Sequence, residues 1–323
     1  MGITGRKGYM LSALEEQIRA ADGQSRISIE NIYDADRMIQ EYQDYIKNLQ
    51  KINFKTGITP IDEKIRGVAG GEVLTIIARA GSFKTAALQN MLLSYTKNSA
   101  WGAAFFSLEM PIPSVAERYH EIISGFSGYE VESAYRQKEA YLEKIQKDFR
   151  ENLSKLFVIP VKVSLKDIAD YIRLIESHHG LKMGVIGIDY LGLLDGRGLN
   201  QYEIISRLAR DVKTMAKELS LPVILLTQAN RQAQSGETEI TLEMGRDSGA
   251  IEEAADFVIG LFQKERESEN GEPEYDLICK ILKNRKGPRN SMWKLDLDPR
   301  NFRLGPEAEA WKTVAKQSKR DDL

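Results

Sequence analysis

Residues Val73 to Thr85 (VLTIIARAGSFKT) constrain this chain more than any other stretch. The short apolar run VLTIIA has the length and branching of a fully buried strand. Arg79-Ala80-Gly81-Ser82 supplies a glycine-containing turn, and Lys84-Thr85-Ala86 opens AALQNMLLSY, whose apolar residues recur at helical spacing. Strand, turn, Lys-Thr and helix together aim backbone N–H groups at an anion. In that arrangement the Lys84 ammonium would neutralise terminal phosphates and the Thr85 hydroxyl would ligate Mg²⁺. The match to G-x-x-x-x-G-K-[ST] is partial. Ala78 stands at the first glycine position and Phe83 at the last. A Cβ at position 83 restricts the backbone and can crowd a phosphate. Such a loop binds phosphate if Phe83 keeps a negative φ and turns its ring outward. The alternative is a strand–turn–helix that carries Lys-Thr by chance.

Around this loop, strands alternate with helices. Phe54 to Gly71 is turn-rich around a short helical pattern. Ala103 to Leu108 (AAFFSL) reads as a buried strand followed by Glu109, and Pro111 and Pro113 open a helix. LFVIPV, MGVIGIDY (with Asp189) and VILLTQ (ending in Gln228) read as further strands. SLKDIADYIRLIESHHG and YEIISRLARDVKTMAKELSL are amphipathic helices between them. The charged stretch from Glu130 to Lys155 reads as a solvated helical insertion. RQAQSGETEITLEMGRDSG lacks periodicity and reads as a long mobile loop. EYDLICKILKNRKGPRNSMWKLDLDP reads as a hairpin turning at Lys286-Gly287-Pro288. The pattern predicts an α/β fold: a doubly wound, mostly parallel sheet with helices on both faces and antiparallel strands at the C-terminal end. Two helical patterns precede it, MLSALEEQIRAAD and IENIYDADRMIQEYQDYIKNLQ. The second carries an apolar stripe through Ile32, Met38, Tyr42 and Ile46, which packs either on its own domain or on a neighbouring subunit. The predicted divisions are a helical segment at 1–51, a nucleotide-binding domain at 52–305 and a frayed tail at 306–323.

In doubly wound sheets, ligands bind beyond the C-terminal strand ends. Lys84-Thr85, Glu109, Asp189 and Gln228 all fall there. Asp189 can hold Mg²⁺ opposite Thr85. Glu109 can orient and deprotonate an attacking water. Gln228 is either a polar turn residue or an amide that reports γ-phosphate loss. The cluster Lys283, Arg285, Lys286 and Arg289 is either a solvated turn or a source of cations for a neighbour's nucleotide.

Composition excludes several alternatives. The single cysteine, Cys279, rules out an intrachain disulfide or a cysteine-built metal cluster, and its apolar setting (YDLICKIL) suits buried filler. Three histidines form no metal-ligand pattern. No apolar run has transmembrane length and no signal segment opens the chain, so the expected compartment is the cytoplasm, with no membrane partner. A net charge of −2 does not advertise nucleic-acid binding, but a local basic channel would not show in that sum.

Taken in order, TGITPIDEKIRG, IIARAGSFKTAALQN, FFSLEMP, GIDYLGLL, ISRLARDVKTMAKELSLPVILLTQANR, GRDSGAIEEAADFVIGLF and KILKNRKGP resemble the motifs of the ATPase domain of DnaB-type replicative helicases, in the RecA-like superfamily. The resemblance covers about residues 52 to 300. It implies an ATP- and Mg²⁺-dependent DNA helicase. Arg79 to Ala86 and Arg118 would bind the nucleotide, Thr85 and Asp189 the metal. Glu109 would be the catalytic base, Gln228 would couple nucleotide to DNA loops, and Lys283 and Arg285 would act in trans on a neighbour's nucleotide. It also implies a hexameric ring on single-stranded DNA, with Arg197, Asn200, Arg231, Gln232 and Arg246 on loops lining its channel, and a loader or primase as a further partner. Only about 50 residues precede the ATPase-like segment, which implies a phage, plasmid or other mobile-element relative without the family's N-terminal helical domain. Two further readings remain open from the residues: a non-motor, slowly hydrolysing adaptor or loader, suggested by Phe83, and a RecA-like recombinase.

Overall fold

A computed structural model describes residues 32–49, 52–196, 200–229, 239–245, 248–267 and 273–311. The first predicted helix and the C-terminal KQSKRDDL lie outside the described residues. The chain divides into two units, Met1–Lys51 and Ile52–Leu323. In the first, helix α1 spans Ala35–Leu49, starting later than the periodicity from Ile29 suggests. Its Met38, Ile39, Tyr42 and Ile46 are exposed.

The second unit opens with a two-stranded antiparallel sheet, β1 (Asn53–Phe54) and β2 (Val68–Ala69), around helix α2 (Thr59–Ile65). Asp62 on α2 accepts hydrogen bonds from the Thr56 and Gly57 amides, fixing the turn that leads into that helix.

The main sheet contains nine strands among the described residues. They are β3 (Val73–Ala78), β4 (Gly102–Ser107), β5 (Leu156–Ile159), β6 (Met183–Asp189), β7 (Val223–Gln228), β8 (Phe257–Glu267), β9 (Pro273–Asn284), β10 (Met292–Asp298) and β11 (Arg303–Ala310). Their spatial order is 11-10-9-8-3-7-6-4-5. All pairings from β8 through β5 are parallel, and β8 to β11 form an antiparallel extension. Sequential strands β3 and β4 are separated by β7 and β6, so the crevice between them opens where ligands bind in this class of sheet.

Alternation along each strand divides the core between two faces. Leu74, Ile76, Phe105, Val185 and Ile224 face one way with Leu88 and Leu92 of α3 (Lys84–Asn98) and Val115 and Tyr119 of α4 (Ile112–Ser124). The segment after α4 forms α5 (Gly128–Gln137) and α6 (Leu142–Asn152). Val73, Ala104, Phe106, Ile186 and Leu225 face the other way, with Ile168 and Ile172 of α7 (Leu165–His179) and Leu208 and Val212 of α8 (Gln201–Leu219). Both faces are covered, which is why the parallel strands read as continuous apolar runs rather than alternating ones. Cys279 is fully buried between Leu261 and Trp293 on the neighbouring strands, and burial pushes its thiol pKa up.

Three sequence expectations need correction, and one open choice narrows. The charged segment that forms α5 and α6 is more than a solvated appendage. Phe149 stacks on the His120 ring at 4.1 Å, and Val131, Ala134 and Ile145 are buried. Residues 239–245 do not form an open loop, because Ile240 is buried and Gly245 bridges Ala229. A short helix α9 (Ser248–Ala254) follows. The basic turn 283–286 is not free in solvent, because acceptors elsewhere in the chain hold its Lys283, Arg285 and Lys286. The last strand runs to Ala310, five residues past the boundary at 305, because Trp293 to Leu295 extend its ladder.

Two glycines on β6 let α3 lie close to the sheet. A Cβ at Gly184 would fall 2.0 Å from Tyr95 Oη and 2.9 Å from Trp101 Cβ; one at Gly187 would fall 2.9 Å from Leu92 Cδ1. Gly184→Ala is therefore expected to push Tyr95 from its place and destabilise the fold by about 1–3 kcal/mol, read as a lower urea midpoint. An unchanged midpoint would show that α3 does not need this approach.

Candidate nucleotide site

The site forms where β3, β7, β6 and β4 end side by side. β3 stops at Ala78; Arg79 to Phe83 turn, and α3 begins at Lys84. Ser82 N donates to Arg79 O at 3.3 Å, and Gly81 sits at φ +78. The N-terminus of the 15-residue α3 points its first N–H groups and its positive dipole end at this turn.

Lys84 and Thr85 are buried at the start of that helix. Lys84 Nζ lies 2.9 Å from Glu109 Oε2 and 3.6 Å from Asp189 Oδ1. Thr85 Oγ1 donates to Asp189 Oδ2 at 2.6 Å. Asp189 has no solvent exposure, whereas Glu109, two residues beyond β4, is half-exposed. Burial raises the Asp189 pKa, opposed by the Lys84 charge and the Thr85 hydrogen bond. Asp189 Oδ1 is buried and accepts no hydrogen bond among the described residues. A hydroxyl, a buried carboxylate and a half-exposed carboxylate form an oxygen-only donor set of the kind Mg²⁺ takes together with phosphate and water.

Gln228 ends β7 directly beside Ala78, the last residue of β3. Arg118, on α4, lines a pocket of about 280 Å³ with Gly81, Phe83, Lys84, Glu109 and Phe302. Burial lowers the Arg118 pKa. Asn200 caps α8, its side chain accepting from Glu203 N at 2.9 Å. Arg197, Arg231, Gln232 and Arg246 lie outside the described residues.

Phe83 does not meet the condition of a negative φ and an outward ring. Its φ is +56, in the left-handed region, where the glycine of the general pattern would sit without strain. Its ring lies 5.9 Å from the Phe302 ring, so it turns inward to an aromatic neighbour rather than outward.

In the basic cluster, Lys283, Arg285 and Lys286 are held by acceptors elsewhere in the chain. Lys283 Nζ donates to the carbonyls of Glu252 and Ala255 at the end of α9, and burial lowers its pKa. Arg285 donates to Asp256 Oδ1 at 2.6 Å while staying well exposed. Asp256 is buried, and its Oδ2 accepts from Val73 N and Lys213 Nζ. Lys286 pairs with Glu72 at 2.6 Å. No motif or periodicity in the sequence singles out Asp256, Lys213 or Phe302. Nothing local marks Asp256 as the anchor of a distant arginine, and Phe302 sits in a turn without periodicity.

A glycine-containing turn opening a helix, with carboxylates at the neighbouring strand ends of a doubly wound sheet, is the arrangement of a nucleotide-binding protein of RecA-like fold. The sequence profile of the DnaB-like helicase C terminal domain matches residues 53–300. The chain belongs to that family. It is 30% identical over 266 residues to the replicative DNA helicase DnaB of Helicobacter pylori strain 26695, covering 79% of this chain and 53% of that one. It is 29% identical over 265 residues to a probable plasmid replicative DNA helicase of Chlamydia trachomatis, covering 80% and 56%. The chain thus spans about half the length of these curated relatives. Among solved structures, a DnaB-like replicative helicase, studied with its interactions with primase, superposes with a TM-score of 0.72 at 22% identity, covering 92% of this chain and 71% of that one. A separately solved ATPase domain superposes with the same TM-score of 0.72 at 24% identity, covering 84% and 99%.

The strain at position 83 can be isolated by two truncations that remove the same ring. Phe83→Gly should be more stable than Phe83→Ala by about 1 kcal/mol, because only glycine occupies the left-handed region without cost. Equal denaturation midpoints for the two variants would show that the backbone there is unstrained.

Proposed function

We propose that this chain is the motor domain of a ring-forming, ATP-driven helicase or translocase that moves on single-stranded DNA in replication. The observation that carries this reading is the convergence of Lys84, Thr85, Glu109 and Asp189. Contacts of 3.6 Å or less link these four residues at the ends of β3, β4 and β6. Membership of the DnaB-like family supports the choice of reaction.

The geometry supports a role for each residue. The Arg79–Ala86 loop and the start of α3 bind ATP phosphates through backbone N–H groups, and Lys84 neutralises their charge. Thr85 and Asp189 hold Mg²⁺, which when bound neutralises phosphate oxygens. Glu109, half-exposed beside Lys84, accepts the proton of the attacking water. Gln228, in register with the end of β3, senses the terminal phosphate and passes the change to the following loop. Arg285, anchored by Asp256 yet exposed, supplies positive charge in trans to a neighbour's ATP, with Lys283 bracing the turn. The loops containing Arg197, Asn200, Arg231, Gln232 and Arg246 contact the DNA backbone, largely without regard to sequence. The exposed apolar stripe of α1 supports docking on a neighbouring subunit of a hexamer. A loader or primase is the expected further partner, in the cytoplasm.

A second reading is favoured by one observation, the left-handed Phe83 in the phosphate loop. It makes the protein an ATP-binding adaptor or loader with slow turnover. ATP hydrolysis with and without single-stranded DNA separates the two. The motor reading expects strong stimulation by DNA and a loss of about a hundredfold or more in Lys84→Ala. Negligible turnover with intact ATP binding would establish the adaptor. Unwinding that survives Lys84→Ala would sink the motor.

The trans role has its own test. Arg285→Ala should reduce hydrolysis by roughly a thousandfold while ATP still binds. An equimolar mixture of Arg285→Ala and Lys84→Ala protomers should recover activity that neither has alone, because some mixed interfaces unite an intact Lys84 with an intact Arg285. No recovery in co-assembled rings would place Arg285 outside the neighbour's site.

A further inference from the structure

We propose that Phe302 is a positioning residue for Arg118. It holds the guanidinium over the phosphate pocket, and with Phe83 it forms an aromatic support beneath the nucleotide site. This rests on the assignment of that pocket to ATP phosphates.

Arg118 Cζ lies 4.5 Å from the Phe302 ring centroid. That distance is within the range at which a cation is held by a ring face. Glu121, Asp189 and Glu117 act on the guanidinium charge, but none of them forms an ion pair or hydrogen bond that fixes it. Its NH1 reaches Met110 Sδ at 3.7 Å, a weak acceptor, and its buried Nε has no hydrogen-bond partner among the described residues. An arginine that no carboxylate pairs directly keeps its donors for an anion entering the pocket. The Phe83 ring lies beside that of Phe302, tilted, with centroids 5.9 Å apart.

The turn between β10 and β11 is built to present this ring. Phe302 itself adopts φ +57, a conformation that costs energy for a residue with a Cβ and persists where surrounding contacts enforce it. Those contacts tie the turn to both functional helices. Asn90, on the helix that opens with Lys84, donates to Phe302 O at 2.8 Å and accepts from Leu304 N at 3.0 Å. Asn301 is buried and donates to Gly125 O at 2.9 Å, at the end of the helix that carries Arg118. One turn thus measures the spacing of the phosphate-loop helix and the Arg118 helix. It lies just past residue 300, where the family profile match ends.

The test is ATP·Mg²⁺ affinity of the full chain, by titration calorimetry, across Phe302→Leu, Phe302→Tyr, Arg118→Ala and the double variant Phe302→Leu/Arg118→Ala. Lys84→Ala serves as the site control, and thermal melts confirm folding. Phe302→Leu should weaken ATP binding by about tenfold, the scale of a desolvated cation–ring contact. Phe302→Tyr, which keeps the ring face, should restore affinity to within about twofold of the parent protein. The double variant should bind no more weakly than Arg118→Ala alone, because Phe302 acts through Arg118. Additive losses, or full affinity in Phe302→Leu beside a weakened Arg118→Ala, would overturn the positioning role while leaving the site in place. Unchanged ATP binding in Lys84→Ala would overturn the site assignment, and this proposal with it. If Phe302→Leu melts early, the Tyr variant decides: a folded Phe302→Tyr that binds as weakly as Arg118→Ala also overturns it.

Discussion

A carboxylate with no access to solvent is costly unless a cation and a donor meet it, and Asp189 is such a carboxylate. Thr85 donates to one of its oxygens, and Lys84 stands near the other. This requirement ties the end of β6 to the first turn of α3, two elements about a hundred residues apart in sequence. The parallel sheet makes the meeting possible. β3 and β6 flank β7, so residues leaving their C-terminal ends converge on one crevice. Close packing behind the crevice, where Gly184 and Gly187 admit α3 against β6, sets the depth at which the two charges meet.

A second set of buried charges does similar work at the opposite end of the parallel strands. Asp256 joins the start of β3, through the Val73 amide, to Lys213 on α8 and to the exposed Arg285. A surface arginine held by a buried anion loses less freedom when it engages a partner than an unrestrained one. The antiparallel strands β8 to β11 therefore do more than extend the sheet. They deliver Arg285 on one turn and Phe302 on another, and both turns are anchored back to elements of the parallel half.

Phe83 and Phe302 share the left-handed conformation and stand within ring contact. Each backbone alone is disfavoured by roughly 1–2 kcal/mol, and the contact between the rings offsets part of that. The general phosphate-loop pattern meets the same backbone requirement with glycine, at no such cost.

The sequence by itself determined the strand ends. Short apolar runs ending at or shortly before Lys84-Thr85, Glu109, Asp189 and Gln228 identify a doubly wound nucleotide-binding sheet, because parallel strands buried on both faces leave a continuous run of branched residues and the chemistry gathers at its end. It left open the direction of Phe83 and the state of the Lys283–Lys286 turn, and it placed the segment after Glu130 in solvent. Only the tertiary structure decided those. Left-handed φ at Phe83, stacking of Phe149 on His120 and the grip of Asp256 on Arg285 each depend on a partner distant in sequence. Local periodicity reports that a face will be buried, but which residue meets it across the fold is set by the packing of whole elements.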